Sequence, residues 1–193
     1  GFGRVGLASI QAAVDSADLG ELKMNGRPIR AGMLWLLLAL LAGAEGAGAA
    51  APKPPWQGTV THVTDGDTLW VRPQRKGAPR QIRIDGIDAP EICQLYGEPA
   101  RSALAAQVLG QQVLVRVRRT DEYGRLLAHV SLQGRDVGGW MVTQGHAWSY
   151  QYRRSAGPYA TQEAQARAQK RGLFIDARPE RPRDFRKRHG RCH

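Results

Sequence analysis

Acidic side chains gather near the ends of neighbouring strand-like segments in a chain that is otherwise strongly basic. Two of them follow the first such segment and three lie where the third one ends: Asp65, Asp67, Asp85, Asp88 and Glu91. Carboxylates at neighbouring strand ends can meet at one end of a small barrel, and their oxygens are the hard ligands that Ca²⁺ or Mg²⁺ requires. Because no His or Cys pair with zinc-ligand spacing accompanies them, a site for a softer metal is not expected.

Two arginines are predicted to lie beside these acids. Arg83 is on the opposite face of its strand from Ile82 and Ile84, since the side chains of a strand alternate between its two faces. Arg125 follows a tight turn that ends at Gly124. Guanidinium groups next to a carboxylate–metal cluster form a receptor for a phosphodiester. A cation and two arginines would neutralise charge at the phosphorus, and a free carboxylate would position a water, so the residue types indicate phosphodiester hydrolysis.

Each of these residues also has a simpler explanation. Asp65, in the sequence Asp-Gly-Asp-Thr, is expected to stabilise a turn. An aspartate before Ala89-Pro90 can cap a loop. An arginine can form a surface ion pair, which is worth roughly 0–1 kcal/mol. The combination of acids and arginines, rather than any single residue, therefore carries the functional prediction.

The elements that must position these residues follow from hydrophobic periodicity and from turn residues. Strands are predicted at residues 56–64, 68–72, 80–85, 112–118 and 125–132, and helices at residues 99–109, 136–144 and 158–171. Three strands, a helix, two strands and terminal helices predict an α+β fold, namely a five-stranded OB-type β-barrel with about three helices. A chain of about 120 residues, the length of this predicted domain, can bury one modest core.

The charge of the chain suggests its partner. The 193 residues include 28 Lys+Arg and 17 Asp+Glu, for a net charge of +11. Residues 1–51 are balanced in charge, so the whole excess lies in residues 52–193. A domain this basic attracts polyanions, of which nucleic acid is the commonest, although a basic surface can also serve solubility alone. The 2 Cys residues exclude a disulfide-dense scaffold and a four-Cys zinc site.

An apolar run at residues 33–42 has the surroundings of a secretory signal peptide. Arg27 and Arg30 precede the run, and small residues follow it up to residue 51. This order predicts a signal peptide at residues 24–51 that is cleaved near residues 49–51, and a secreted or periplasmic protein. An uncleaved membrane anchor and a buried apolar helix are the alternatives.

Three motifs occur in order and with consistent spacing: Val-Thr-Asp-Gly-Asp-Thr at residues 63–68, Ile-Arg-Ile-Asp-Gly-Ile-Asp-Ala-Pro-Glu at residues 82–91, and Asp-Glu-Tyr-Gly-Arg at residues 121–125. On these motifs the chain resembles the staphylococcal nuclease-like (thermonuclease) family over about residues 57–174. The resemblance implies a Ca²⁺-dependent nuclease. We expect it to be a monomer, without stable membrane association once the signal peptide has been cleaved. Its substrates would be single-stranded or locally opened DNA and RNA, which it would cut into 3′-phosphorylated fragments.

The resemblance also implies a role for each matching residue. Asp67 and Asp88 would bind Ca²⁺ through their carboxylates and Ala89 through its main-chain carbonyl, where the founding member of the family has a Thr. Glu91 would act on the attacking water as its general base or its orienter. The catalytic arginines Arg83 and Arg125 would grip the scissile phosphate. The loop that follows Glu91 is shorter than in the founding member.

Aromatic residues complete the predicted site. The resemblance places Tyr123, Tyr150 and Tyr152 beside the bound nucleotide, and bases stack on aromatic faces at roughly 1–3 kcal/mol each. For Tyr150 and Tyr152, ordinary packing is an equal alternative. Trp140 and Trp148 are expected to pack in the core.

The predicted domain organisation is an unstructured upstream extension (1–23), the signal peptide (24–51), a linker (52–56), a nuclease domain (57–175) and a loose basic C-terminal tail (176–193). Cys93 and Cys192 are either free thiols or a disulfide that ties this tail near the substrate groove. The alternative functions are a non-catalytic OB-fold module that binds nucleic acid, and an anchored envelope protein whose basic surface meets anionic lipid.

Overall fold

The computed structural model describes residues 54–190 and Cys192, together with the backbone of residues 23–24 and 27–28. Contacts divide the chain into two units, Gly1–Ala50 and Ala51–His193. In the first unit, Lys23–Met24 and Arg27–Pro28 pair as short antiparallel strands. The predicted apolar run and cleavage region of the signal peptide lie outside the described residues. Within the described ranges, no helix is both long and apolar enough to cross a membrane.

The described part of the second unit contains eight short or medium strands. They are β1 (Trp56–Asp65), β2 (Thr68–Pro73), β3 (Arg80–Ile84), β4 (Ile87–Asp88), β5 (Gln112–Thr120), β6 (Leu126–Leu132), β7 (Arg135–Asp136) and β8 (Trp148–Ser149). The main sheet has the order β3-β2-β1-β5-β6-β7 with antiparallel neighbours. A parallel pairing of β3 with β6 joins Ile82 to Leu126 and Ile84 to Ala128, and it closes five strands into a barrel. The predicted OB-type α+β fold is confirmed.

The interior of the barrel is built from the alternating apolar residues of its strands. Buried side chains come from every barrel strand: Val60, Val63, Leu69, Val71, Ile82, Ile84, Val113, Val115, Ala128 and Val130. Strand β1 keeps both of its valines inside, although they are three residues apart, because the register with β2 shifts between Val60 and His62. Such a β-bulge re-aims the following side chains and bends the strand.

Over residues 54–190, four α-helices accompany the barrel. They are α1 (Gly97–Val108), α2 (Val137–Thr143), α3 (Ala160–Ala168) and α4 (Pro182–His189), and a 3₁₀ helix spans Gly172–Ile175. Helix α1 buries Ala100, Leu104 and Val108, which share one face at helical spacing, against the barrel. Helix α2 begins after Asp136, whose side chain accepts a hydrogen bond from the backbone N–H of Gly138. This side-chain cap satisfies an N–H group that has no partner within the helix.

A second, smaller cluster lies beside the barrel core. Trp148 packs there with Ala166, Leu173 and Phe174, as the sequence predicts for this tryptophan. Strand β8 carries Trp148 and pairs antiparallel with β4, so that Trp148 lies opposite Asp88. The cluster therefore supports the short strand that holds one of the predicted metal ligands.

The C-terminal tail differs from its prediction as a loose segment. Its sequence has few apolar residues, but Pro182–His189 forms helix α4. Pro182 occupies the first turn, Asp184 lies near the N-terminus, and the last turn is basic, which is the arrangement that the helix dipole favours. The helix is attached to the rest of the unit by ion pairs and by a disulfide between Cys93 and Cys192. Charge and a covalent link, rather than apolar burial, hold this segment in place.

The segment between β4 and α1 folds back on itself, so that its backbone at Glu91 and Ile92 lies very close to Gly97 at the start of α1. A Cβ atom at Gly97 would lie 2.0 Å from the carbonyl oxygen of Glu91 and 2.8 Å from that of Ile92. The N–H of Gly97 donates to the carbonyl of Gln94, and the N–H of Gln94 donates to that of Glu91. The loop that presents Glu91 is therefore folded tightly against the start of α1.

Replacing Gly97 by Ala is expected to lower the free energy of unfolding by about 1–3 kcal/mol or more, because the added methyl group meets backbone atoms that must move. Urea unfolding of the disulfide-bonded protein measures the change. Gly77→Ala is the matched control, since a Cβ there meets nothing closer than 3.7 Å. Equal stability of the two variants would contradict the close approach.

Candidate active site

A pocket of about 540 Å³ opens at one end of the barrel. Its walls come from the β1–β2 turn, the end of β3, the segment after β4, the β5–β6 turn and helix α4. The predicted site residues that line it are Asp67, Arg83, Ala89, Glu91, Tyr123, Arg125 and Tyr150. Asp88 joins this set through an ion pair with Arg83. The structure thus brings together residues that lie far apart along the chain.

Asp67 is the most buried acid of the pocket, and three donors hold its carboxylate. The hydroxyl of Thr68 donates to Oδ1 at 2.9 Å, and the Arg83 guanidinium donates to the same oxygen at 2.8 Å. The backbone N–H of Ala89 donates to Oδ2 at 3.1 Å. Asp65 accepts a hydrogen bond from the N–H of Asp67 at 3.0 Å, which is the turn-stabilising contact that its position predicts. The tight turn between β1 and β2 therefore aims Asp67 at the end of the neighbouring strand.

Arg83 bridges two aspartates. Its Nη1 lies 2.8 Å from Oδ1 of Asp67, and its Nη2 lies 2.9 Å from Oδ1 of Asp88. Burial by itself lowers the pKa of the guanidinium, but the charges of Asp67 and Asp88 outweigh it and raise that pKa. The ion pairs keep Arg83 charged in a largely desolvated place, where an isolated charge would be costly.

Two carboxyl groups at this end of the barrel nevertheless resist ionisation, mainly because they are buried. Burial, and secondarily the charge of Asp67, raises the pKa of Asp65 to about 8. The same two causes raise the pKa of Asp88 to about 6, although Arg83 and Arg186 oppose them. A raised carboxyl pKa means that the folded protein resists placing another negative charge at this point. The end of the barrel is therefore a site where additional positive charge would be favourable.

Glu91 has a partner that sequence reasoning missed. Arg186 of helix α4 places its Nη1 2.6 Å from Oε1 of Glu91 and 3.6 Å from Oδ1 of Asp88. Burial lowers the pKa of this guanidinium, but the hydrogen bond to Glu91 and the charge of Asp88 raise it overall. Glu91 and Arg186 are 95 residues apart, so no local motif connects them. The potential disulfide between Cys93 and Cys192 was the one signal that the tail reaches this loop.

Arg125 is held by the turn that precedes it. Its Nε donates to Oδ2 of Asp121 at 2.8 Å, while Oδ1 of Asp121 accepts from the backbone N–H groups of Tyr123 and Arg125. Burial acts to raise the pKa of Asp121, but the hydrogen bonds from Arg125 prevail and lower it. The Arg125 guanidinium also lies 5.4 Å from the centre of the Tyr123 ring. The turn thus places a cation and an aromatic face on the same wall of the pocket.

The three predicted tyrosines lie at different places relative to the pocket. Tyr123 and Tyr150 line the pocket, and their side chains are exposed. The backbone N–H of Tyr150 donates to the carbonyl of Gly86, which fixes this residue beside the end of β3. Tyr152 is also exposed but is not among the residues that line the pocket. The guanidinium of Arg153 lies 5.3 Å from the centre of its ring.

One further candidate, Asp85, also lines the pocket but has partners of its own. It accepts from Arg118 at 3.1 Å and lies 3.9 Å from Nε2 of His129. Over residues 54–190 and Cys192, no three His, Cys, Asp or Glu side chains form a group that could hold a metal ion. The predicted ligand set does not need a third side chain, because it consists of Asp67, Asp88 and a main-chain oxygen.

Comparison with known proteins agrees with this geometry. A family model described as staphylococcal nuclease homologue matches residues 81–176. The chain is 38% identical over 149 residues to the ParB protein of Escherichia coli, in an alignment that covers 70% of this chain and 83% of ParB. It is 32% identical over 165 residues to a micrococcal nuclease of Shigella flexneri, which covers 78% of this chain and 94% of that protein. An uncharacterized endonuclease of Escherichia coli O157:H7 is 39% identical over 132 residues, with coverage of 68% and 85%. The chain therefore belongs to the staphylococcal nuclease-like family, and the family, the fold and the class of enzyme, a phosphodiester hydrolase, that the sequence predicts are confirmed.

Proposed function

We propose that the protein is a secreted or periplasmic, Ca²⁺-dependent nuclease that cleaves DNA and RNA and leaves 3′-phosphorylated ends. The observation that carries this proposal is the convergence of carboxylates and arginines on one pocket. Asp67, Glu91, Arg83 and Arg125 line it, and Asp88 is joined to them through Arg83. A protein that only bound phosphate would have no use for acids that face it.

The residues at the end of β3 suit a divalent cation. Asp67 and Asp88 offer buried hard oxygen atoms, which is the donor type that Ca²⁺ prefers. Burial, and secondarily the charge of Asp67, raises the pKa values of Asp65 and Asp88, and a cation beside them would favour their ionised forms. Ala89 would add its main-chain carbonyl, and its N–H already contacts Asp67. When bound, Ca²⁺ would supply positive charge beside the phosphate oxygens.

The remaining residues divide the reaction between them. Glu91 holds the attacking water and accepts its proton as the oxygen of that water bonds to phosphorus. The bond from phosphorus to the 5′ oxygen breaks, this oxygen takes a proton from solvent to become a hydroxyl group, and the phosphate remains on the 3′ oxygen. Arg83 and Arg125 exchange their present carboxylate partners in part for the phosphate oxygens, where they stabilise the charge of the transition state.

The substrate would be a single strand or a locally opened duplex. Stacking of bases requires an exposed aromatic face, and Tyr123 and Tyr150 offer such faces on the pocket wall. The net charge of +11 favours the approach of a polyanion. We propose that the protein acts as a monomer without stable membrane association, since one chain carries every residue named here. Tyr152, which lies outside the pocket lining, would contact only a longer strand.

The proposed location rests on two features of different kind. Residues 24–51 have the order of basic, apolar and small segments that is typical of a signal peptide. The disulfide between Cys93 and Cys192 is of the type that persists in oxidising compartments.

Digestion of labelled single-stranded DNA and RNA by residues 52–193 tests the proposed activity. Cleavage is expected with Ca²⁺ and not with a chelator, and end-mapping is expected to find 3′-phosphates. Asp67→Asn should abolish the Ca²⁺ response, since it removes a charged ligand. Binding without cleavage in millimolar Ca²⁺ would instead indicate a non-catalytic OB-fold module, and undiminished cleavage in chelator would remove the metal from the reaction.

Glu91→Gln is expected to lower kcat by about 10²-fold or more while KM changes little, because an amide cannot accept the proton of the attacking water. Steady-state kinetics on a short oligonucleotide measures both constants. Glu98→Gln is the matched control, because Glu98 is an exposed carboxylate outside the pocket lining, with Arg101 and Ser102 as its partners. Equal losses of kcat in the two variants, or a loss confined to KM, would contradict the role of Glu91.

The stability of the protein is expected to respond to both pH and Ca²⁺. The folded-state pKa values of about 8 for Asp65 and about 6 for Asp88 exceed the ordinary value of 3.8. Between about pH 4 and pH 8 these two carboxyl groups hold protons in the folded protein that they lose in the unfolded chain, so their contribution to the free energy of unfolding without metal falls as pH rises through this window. Burial lowers the pKa of His146, which acts in the opposite sense below its ordinary value of 6.5, so the decline is expected to be clearest between pH 6.5 and about pH 8.

Addition of Ca²⁺ at one hundred times its Kd should restore about 2.7 kcal/mol at pH 8, and less at pH 5, where protons compete for the carboxylates. Urea unfolding with Ca²⁺ or with chelator gives these values independently of activity. Asp88→Asn should show little Ca²⁺ stabilisation. A Ca²⁺ effect of the same size in wild type and Asp88→Asn would place the ion elsewhere.

A further inference from the structure

We propose that Arg186 is a positioning residue of this active site, and that the disulfide-linked C-terminal segment exists to deliver it to Glu91. The proposal rests on the proposed function, since it concerns the carboxylate that would hold the attacking water. It adds to the site a residue from outside the barrel and from outside the three sequence motifs.

The first observation is the contact itself. The 2.6 Å hydrogen bond from Arg186 to Oε1 of Glu91 joins two partly buried side chains. Because the guanidinium donates a hydrogen bond to Oε1, the carboxylate can keep one orientation, in which Oε2 is directed to a water. A carboxylate with free rotation would spend only part of its time in that geometry, and misplacement by about 1 Å can cost 10²-fold in rate.

The second observation is that helix α4 forms a wall of the pocket and does not fill it. Arg186 and Cys192 are among the lining residues of the 540 Å³ space. Arg83, Arg125 and Glu91 line the same space, so it remains open to a phosphate with the helix in place. This arrangement fits a part of the working site rather than an inhibitory plug.

The third observation is a set of attachments between the tail and the short loop after Glu91. The disulfide joins Cys93 to Cys192. The buried side chain of Gln94 donates from Nε2 to the carbonyl of Glu180 at 2.6 Å and accepts at Oε1 from the N–H of Glu91 at 3.2 Å. One amide therefore links the backbone of the catalytic loop to the backbone of the tail, beside the covalent link.

Three other basic residues of the C-terminal segment have different partners. Lys187 lies 3.9 Å from Asp184 and is largely exposed, and Arg188 pairs with Glu180. Just before the helix, Arg181 lies 3.4 Å from Glu163. Among the basic side chains that form ion pairs in the described part of this segment, Arg186 is the one that contacts acids of the pocket. A general electrostatic role of a basic tail therefore does not account for its placement.

The test compares Arg186→Gln and Arg186→Lys with the control Lys187→Gln, all in disulfide-bonded protein with Ca²⁺. Arg186→Gln is expected to lower kcat about tenfold or more with KM within about twofold, because a positioning residue acts in the transition state. Arg186→Lys should recover part of kcat, since an ammonium can still donate to Oε1. Lys187→Gln should behave as wild type. Thermal unfolding is recorded for each variant, and kinetics are measured well below its Tm.

A double-mutant cycle tests delivery by the disulfide. Replacement of both cysteines, Cys93→Ser with Cys192→Ser, is expected to lower kcat about as much as Arg186→Gln does, and addition of Arg186→Gln to that background should cost little more. Fully additive losses would show that the two features act separately and would overturn the delivery role.

The possible outcomes distinguish the role proposed for Arg186 from the nuclease function on which it rests. An active, Ca²⁺-dependent wild type together with an Arg186→Gln variant of unchanged or raised kcat, or of altered KM alone, overturns the role of Arg186 and leaves the nuclease assignment intact. A wild type without Ca²⁺-dependent cleavage overturns the proposed function and this role with it.

Discussion

The site depends on charge compensation in a place that water reaches poorly. Arg83 spans Asp67 and Asp88 with hydrogen bonds of 2.8 and 2.9 Å, and this bridge holds together two strand ends that would otherwise repel each other. Buried carboxylates are tolerated when they are paired and hydrogen-bonded. Burial, and secondarily the charge of Asp67, still raises the pKa values of Asp65 and Asp88. The contacts that stabilise this end of the barrel therefore leave carboxyl groups where further positive charge would be favourable.

The barrel turns this local arrangement into a pocket. The β1–β2 turn carries Asp67, β3 carries Arg83, and the pairing of β4 with β8 fixes Asp88. Closure of the barrel through the parallel β3–β6 pair brings the turn that carries Arg125 to the same end. Each functional side chain thus comes from the end of a rigid element or from a tight turn beside it. The apolar interior leaves these side chains few alternative positions.

The C-terminal segment extends the site beyond the barrel. Helix α4 has little apolar surface to bury, and it is placed by ion pairs, by the Gln94 amide and by a disulfide across 99 residues. A small domain has a limited core, so a covalent link is an effective means of fixing a polar segment. The tight approach of Gly97 to the carbonyl of Glu91 supports the same loop from its other side. The proposed general base is therefore held between the barrel and the tail.

Local sequence information was sufficient to predict the barrel strands and helix α1, and to single out the acids and arginines of the three motifs. Strand alternation, turn residues and motif spacing are short-range properties, so they could be interpreted without knowledge of the fold. The sequence predicted arginines beside the acids, but it could not predict which individual charges pair, because Arg83 and Asp67 are 16 residues apart and Arg186 and Glu91 are 95 residues apart. The same reason explains why the helix in the C-terminal tail was not predicted. The composition of the tail suggested a loose chain, but its helix is held by acids and a cysteine that are distant in the sequence. Residue types and local periodicity determined which chemistry the chain carries, and only the tertiary structure decided which charges meet, because contacts between distant segments exist once the barrel has closed.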